Sequence, residues 1–110
     1  MEVNTSTGVI LKLVEFLKEI HSKELLEITK KLKETFEIQL YAYKVDYTGK
    51  INSADYWNDI SLLASSDLIK LTGDNPKLSI TDRGLNTIQE LELELPTQIN
   101  EVLPQISQRG

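Results

Sequence analysis

Apolar residues recur at helical spacing in several stretches of this chain, separated by short runs that alternate or turn. Val9, Ile10, Leu13, Val14, Phe16, Leu17 and Ile20 predict a first helix reaching about Ile20, with Ser6 or Thr7 as its cap. Its apolar face is wide, as in a helix at the centre of a core or one that also pairs protomers. Ser22 is placed to cap a second helix to about Thr35, with Leu25, Leu26, Ile28, Leu32 and Phe36 inward. Lys23, Lys30, Lys31 and Lys33 mix there with Glu24, Glu27 and Glu34, which predicts a solvated face with helix-spaced ion pairs. Over 36–45, Ile38, Leu40 and Ala42 alternate with Gln39, Tyr41 and Tyr43. That pattern predicts a short strand, placed to pair with a later hairpin. Tyr47-Thr48-Gly49-Lys50 reads as a turn.

The most legible stretch is 53–84. Ser53 is a helix cap, Asp55 sits in the first turn where the helix dipole favours a carboxylate, and Tyr56, Ile60 and Leu63 form an apolar stripe. Leu62 and Trp57 widen that stripe. Asp67 tolerates the left-handed conformation that ends a helix. Leu68, Ile69 and Leu71 read as a strand, Gly73-Asp74-Asn75-Pro76 as a tight turn, and Lys77-Leu78-Ser79-Ile80 as a half-buried strand. Thr81 caps a further helix with Leu85, Ile88 and Leu91 on one face, expected to run to about Leu95 and stop at Pro96. Thr97 opens a last helical piece with Ile99, Val102, Leu103 and Ile106, interrupted by Pro104.

Tyr56, Ile60 and Leu63, the helix stop, Leu68-Ile69, the turn, and Leu78-Ser79-Ile80-Thr81-Asp82-Arg83-Gly84 together resemble winged helix-turn-helix transcriptional regulators. In those proteins a recognition helix precedes a hairpin that closes on a phrase of leucine, any residue, threonine, two of any kind, glycine; here Ile80 precedes Thr81. The resemblance covers about residues 9–92. It implies an α+β fold: a single winged-helix domain over 1–110 with its core at about 9–92 and added terminal helices, while the apolar residues of the 97–110 extension make that segment the candidate dimerisation element. It also implies DNA as partner. One departure stands out. Such recognition helices usually carry Arg or Lys, whereas residues 53–66 carry Asp55 and Asp59 and no basic residue.

Composition narrows the field. The chain has 110 residues, suited to one small domain, and no Cys, so disulfides and thiolate chemistry are excluded. Its start lacks the basic region of a signal peptide and no apolar run is long enough to span a bilayer, so a cytoplasmic location is expected. Net charge is −5, unevenly spread: residues 1–50 hold eight lysines and eight acids, and residues 51–110 hold four basic and nine acidic residues. The half expected to read bases is thus the acidic half, which opposes phosphate binding there.

Catalytic candidates are few. His21 is the single histidine, and the serines have no nearby base to form a nucleophile pair. Asp55 and Asp59 share a helix face, but two carboxylates are few for a cation site. No enzyme, metal or cofactor is expected. For DNA the candidates are Lys44, Lys50 and Lys77, with Lys70 beside them, as phosphate contacts that position without specifying. Asn52, Ser53, Asn58 and Ser61 are candidates for base edges, and Trp57 for stacking, within an aromatic group of Tyr41, Tyr43, Tyr47 and Tyr56. The reading is a homodimeric DNA-binding regulator, with surplus apolar surface at the two ends driving dimerisation. The alternative is a winged-helix module that binds a protein through the acidic helix and Trp57.

Overall fold

Helix α1 spans Thr5–Leu17 and is buried along most of its length: Val9, Ile10, Leu11, Leu13 and Val14 all lie in the core. The computed structural model describes residues 5–38, 40–95, 97 and 99–101. Helix α1 does not reach Ile20. Lys18 adopts a left-handed conformation (φ 69°), and Glu19–His21 leaves as strand β1. A lone apolar residue such as Ile20 fits helix and strand periodicity alike, so the sequence pattern alone does not separate them. Ser6 and Thr7 stand inside the helix and do not cap it.

Helix α2 covers Ser22–Phe36 with Leu25, Leu26, Ile28 and Leu32 buried, as the spacing predicts. The side chain of Phe36 lies outside the described set. Ser22 is the first helical residue and not the cap; His21 holds the cap position without a side-chain bond. A turn from elsewhere serves instead, because the Ser22 amide donates to the Pro76 carbonyl at 2.8 Å.

The strand expected over 36–45 shrinks to β2, Lys44–Val45, which pairs with β3, Ile51–Asn52, and not with the later hairpin. The cause lies in the helix end. Glu37 turns left-handed (φ 58°), and the Ile38 amide bonds back to Leu32. Tyr41 is then buried, with Ile38, Leu40 and Tyr43 packed against the core, so inward and outward positions do not alternate. Gln39 lies outside the described residues.

Helix α3, Ala54–Ser65, is capped by Ser53, whose hydroxyl accepts from the Tyr56 amide, and buries Tyr56, Ile60 and Leu63. Asp67 follows in the left-handed region (φ 62°). Strands β4, Ile69–Thr72, and β5, Lys77–Ile80, pair antiparallel with Leu71 opposite Leu78. The third strand of that sheet is β1: its order is β1-β5-β4, with Ile20 opposite Leu78. Thr81 caps α4, Asp82–Glu90, through the Gly84 amide.

Helix α4 stops five residues short of Leu95. Glu92 turns left-handed (φ 50°), and the Leu93 amide returns to the Ile88 carbonyl. Ile88 alone of its expected apolar face is buried; Leu85 and Leu91 are exposed. The chain then folds back, and Leu95 and Ile99 complete the core. Thr97 and residues 99–101 are helical; Pro96, Val102, Leu103, Pro104 and Ile106 lie outside the described residues. Helix α1 contacts α3, α4, β1 and β5, so its wide face is consumed inside the chain, with Phe16 alone left 44% exposed. The architecture is α+β, and no described helix is long and apolar enough to cross a membrane.

Candidate nucleic-acid interface

The β2–β3 hairpin is short, and one side chain shapes its turn. The Asp46 carboxylate accepts from the Thr48 amide (2.8 Å), the Thr48 hydroxyl and the Lys50 amide (3.0 Å). The Asp46 amide donates to Lys50, and Gly49 supplies the left-handed residue at φ 88°. The Thr48 hydroxyl first, with the two amides, holds the Asp46 carboxyl below the usual carboxylate range.

This hairpin leads directly into α3 and is fastened to it. The Trp57 indole N–H donates to Asn52 Oδ1 at 2.9 Å. Trp57 also packs edge-on against Tyr56, with ring centroids 5.0 Å apart. Trp57 therefore anchors the hairpin, its indole N–H being spent on the Asn52 side-chain oxygen. Ser53 is buried and committed to capping α3, which removes it from base reading. Asn58 and Ser61 are exposed on the outer face of α3, beside Asp55 and Leu62.

Asp59 is not the solvated acid that its spacing from Asp55 predicts. It is half-buried and accepts from the Tyr41 hydroxyl at 2.7 Å and the Ser6 hydroxyl at 2.8 Å. It thereby joins α3 to α1 and to the segment after α2. Burial first, and the neighbouring Asp59 second, push the Tyr41 phenol far above its ordinary range. Tyr56 donates to the Ser22 carbonyl at 2.6 Å, and burial likewise raises its phenol. Tyr43 is raised by burial and carries Lys33 over its ring, 5.5 Å from the centroid. These three tyrosines belong to the packing, leaving Tyr47 as the exposed one.

The lysines divide into two groups. Lys44 and Lys50 line a groove with Lys23, Asp46, Ile51 and Trp57, and that groove continues along α2 past Glu27, Lys30, Lys31 and Glu34. Lys30 pairs with Glu34 at 2.9 Å. Among the described residues, Lys23, Lys31, Lys44 and Lys50 have no carboxylate within ion-pair distance. Lys77 does not line this groove. It stands on the outer face of the sheet and pairs with Glu19 at 3.3 Å, with Lys70 exposed on the neighbouring strand.

The spacing of Lys23, Lys30 and Lys31 along α2 predicts only an ordinary polar helix face. No local signal marks them, because their grouping with Lys44 and Lys50 is made by the hairpin folding back over α2. His21 lies half-buried at the end of β1, with Nδ1 3.3 Å from the Asn75 carbonyl. No group of three or more His, Asp or Glu among the described residues is placed to hold a metal. Compared with known proteins, the chain matches no family model, no curated protein and no solved structure.

Proposed function

We propose that this chain is a winged helix-turn-helix protein that binds duplex DNA as a homodimer, in the manner of a transcription regulator in the cytoplasm. The order α1-β1-α2-α3-β4-β5-α4 supports the fold, with α3 as the helix that enters the major groove and β4–β5 as the wing. One observation carries the DNA reading. A chain of net charge −5 gathers Lys23, Lys30, Lys31, Lys44 and Lys50 along a groove that reaches the start of α3, where they outnumber the carboxylates of Glu27, Glu34 and Asp46. Local concentration of one sign, not the total, attracts a polyanion. Asn58 and Ser61 then face the bases, and the groove lysines hold the backbone.

Support for pairing comes from Phe16, Leu85 and Leu91, which are exposed on or next to α1 and α4, helices that pack together. A second reading has its own observation. The outer face of α3 shows Asp55, Asn58, Ser61 and Leu62 and no basic residue, which suits a protein partner.

Duplex binding measured against salt separates the two. Phosphate contacts by Lys23, Lys31, Lys44 and Lys50 predict a log–log slope of about −3.6, or about a hundredfold loss of affinity between 50 and 200 mM salt. Lys44→Ala and Lys50→Ala each remove about one unit of slope. Lys77→Ala removes less, because Glu19 already neutralises it. A wild type that binds no duplex at low salt, or slopes indifferent to Lys44 and Lys50, overturns the DNA reading and leaves the protein partner.

A further inference from the structure

Tyr47 is the most exposed of the large hydrophobic side chains described, fully open to solvent at 101% relative exposure, with Val45 beside it at 56%. Single exposed apolar residues are ordinary on protein surfaces. What surrounds this one is not. The turn that carries it is braced by three hydrogen bonds to one carboxylate, that of Asp46. The strands below are tied to α3 through Asn52 and Trp57. Lys44 and Lys50 flank the tip, one on each side of the turn. Tyr47 itself packs on nothing, so this bracing does not serve its burial. It holds an aromatic ring at the tip of the hairpin, with Lys44 and Lys50 on either side and the Asp46 carboxylate turned to the backbone of the turn.

We infer that the β2–β3 hairpin is a second DNA-contact element, and that the Tyr47 ring enters a groove of the duplex next to the one that α3 occupies. This rests on the DNA reading above. The chemistry is complementary: lysines for phosphates on either side, and a flat ring for the apolar sugar and base surfaces between them. A two-stranded ribbon is too wide for the minor groove, roughly 6 Å across, but a single ring at its tip is not. Aromatic contact with bases tolerates sequence variation, because every base offers a π-face. The hairpin therefore adds affinity and orientation more than sequence preference.

Fluorescence anisotropy with a labelled duplex tests this on the full chain, using wild type, Tyr47→Ala, Tyr47→Phe and Lys50→Ala. Tyr47→Ala is expected to raise Kd roughly tenfold, the scale of one lost aromatic contact with a base, with the salt slope unchanged. Tyr47→Phe is expected to stay within about twofold, whereas Lys50→Ala lowers the slope by about one. All four proteins should melt together, since Tyr47 and Lys50 are exposed. If wild type binds and Tyr47→Ala binds within about twofold of it, the inference falls and the DNA reading stands. If Tyr47→Phe loses as much as Tyr47→Ala, the contact is through the hydroxyl, and ring insertion is overturned. If wild type binds no duplex at low salt, both readings fall.

Discussion

Gly84 lies against the carbonyl of Leu68 so closely that a Cβ there would overlap the oxygen, and Ile80 Cγ1 would stand 2.8 Å away. The contact explains a glycine three residues after Thr81. Thr81 caps α4 while its hydroxyl donates to the Asp67 carbonyl at 2.6 Å and its amide to Leu68 at 3.2 Å. The first turn of α4 is thus pinned onto the corner between α3 and β4, where backbone meets backbone.

Gly84→Ala is therefore expected to destabilise by about 1–3 kcal/mol, the cost of overpacking against atoms that do not yield. Gly73→Ala, where nothing lies within 4 Å but φ is +90°, should cost about 1 kcal/mol from the backbone alone. Urea midpoints of the two variants check the order. A Gly84→Ala protein as stable as wild type would contradict the packing described.

Four helices end on left-handed residues that are not glycine: Lys18, Glu37, Asp67 and Glu92. Each carries a conformational cost of about 1–2 kcal/mol that glycine would avoid, offset in part by the freedom glycine has when unfolded. Glu37 and Glu92 are exposed. Glu37→Gly and Glu92→Gly should each stabilise by about 0.5–1 kcal/mol in thermal unfolding. Glu37→Ala, which keeps the Cβ and removes the charge, should not.

Alkaline pH is expected to weaken the fold through Tyr41 and Tyr56. Both phenols are raised above their ordinary range, so the folded state favours the neutral form. Their contribution is fully present below the unfolded value of about 10 and is lost as pH rises beyond it. Stability measured by urea should fall above about pH 10. Tyr41→Phe and Tyr56→Phe should each flatten that fall, at a cost near neutrality of about 1–2 kcal/mol for the hydrogen bond removed.

Ile99 is fully buried, so deleting 97–110 would damage the monomer core and would not isolate a dimer contact. Phe16→Ser combined with Leu91→Ser is the cleaner change. Light scattering of the full chain should give twice its 12.5 kDa mass, and the double variant should give the single mass with its melting point nearly kept. A wild type that stays at the single mass at high micromolar concentration removes the homodimer from the proposal.

The elements that were readable in advance are those whose signals are local. Ser53 and Thr81 cap their helices, Asp67 turns left-handed, and Gly73 to Pro76 joins β4 to β5. Strand β1 escaped because Ile20 continues the apolar spacing of α1, and Lys18 gives no sign of a left-handed break. The early end of α4 escaped for the same reason at Glu92. Candidate site residues fared by how far their partners lie in sequence. Lys44 and Lys50 flank one turn and stay together, whereas Lys77 meets Glu19, and Asp59 meets Tyr41 and Ser6, across distances that no spacing rule reaches.

Strand β1 pairs with β5, and α2, the β2–β3 hairpin, α3 and β4 between them form one closed loop. Closing a long loop costs entropy before any contact repays it, and pairings so distant in sequence slow folding. During synthesis, Ile20 waits beside α1 without its neighbour until Leu78 has been made. Helix α2, the β2–β3 hairpin and α3 all emerge inside that interval. An unfinished chain thus carries every groove lysine before it has the sheet and turn that seat the start of α2 against Pro76.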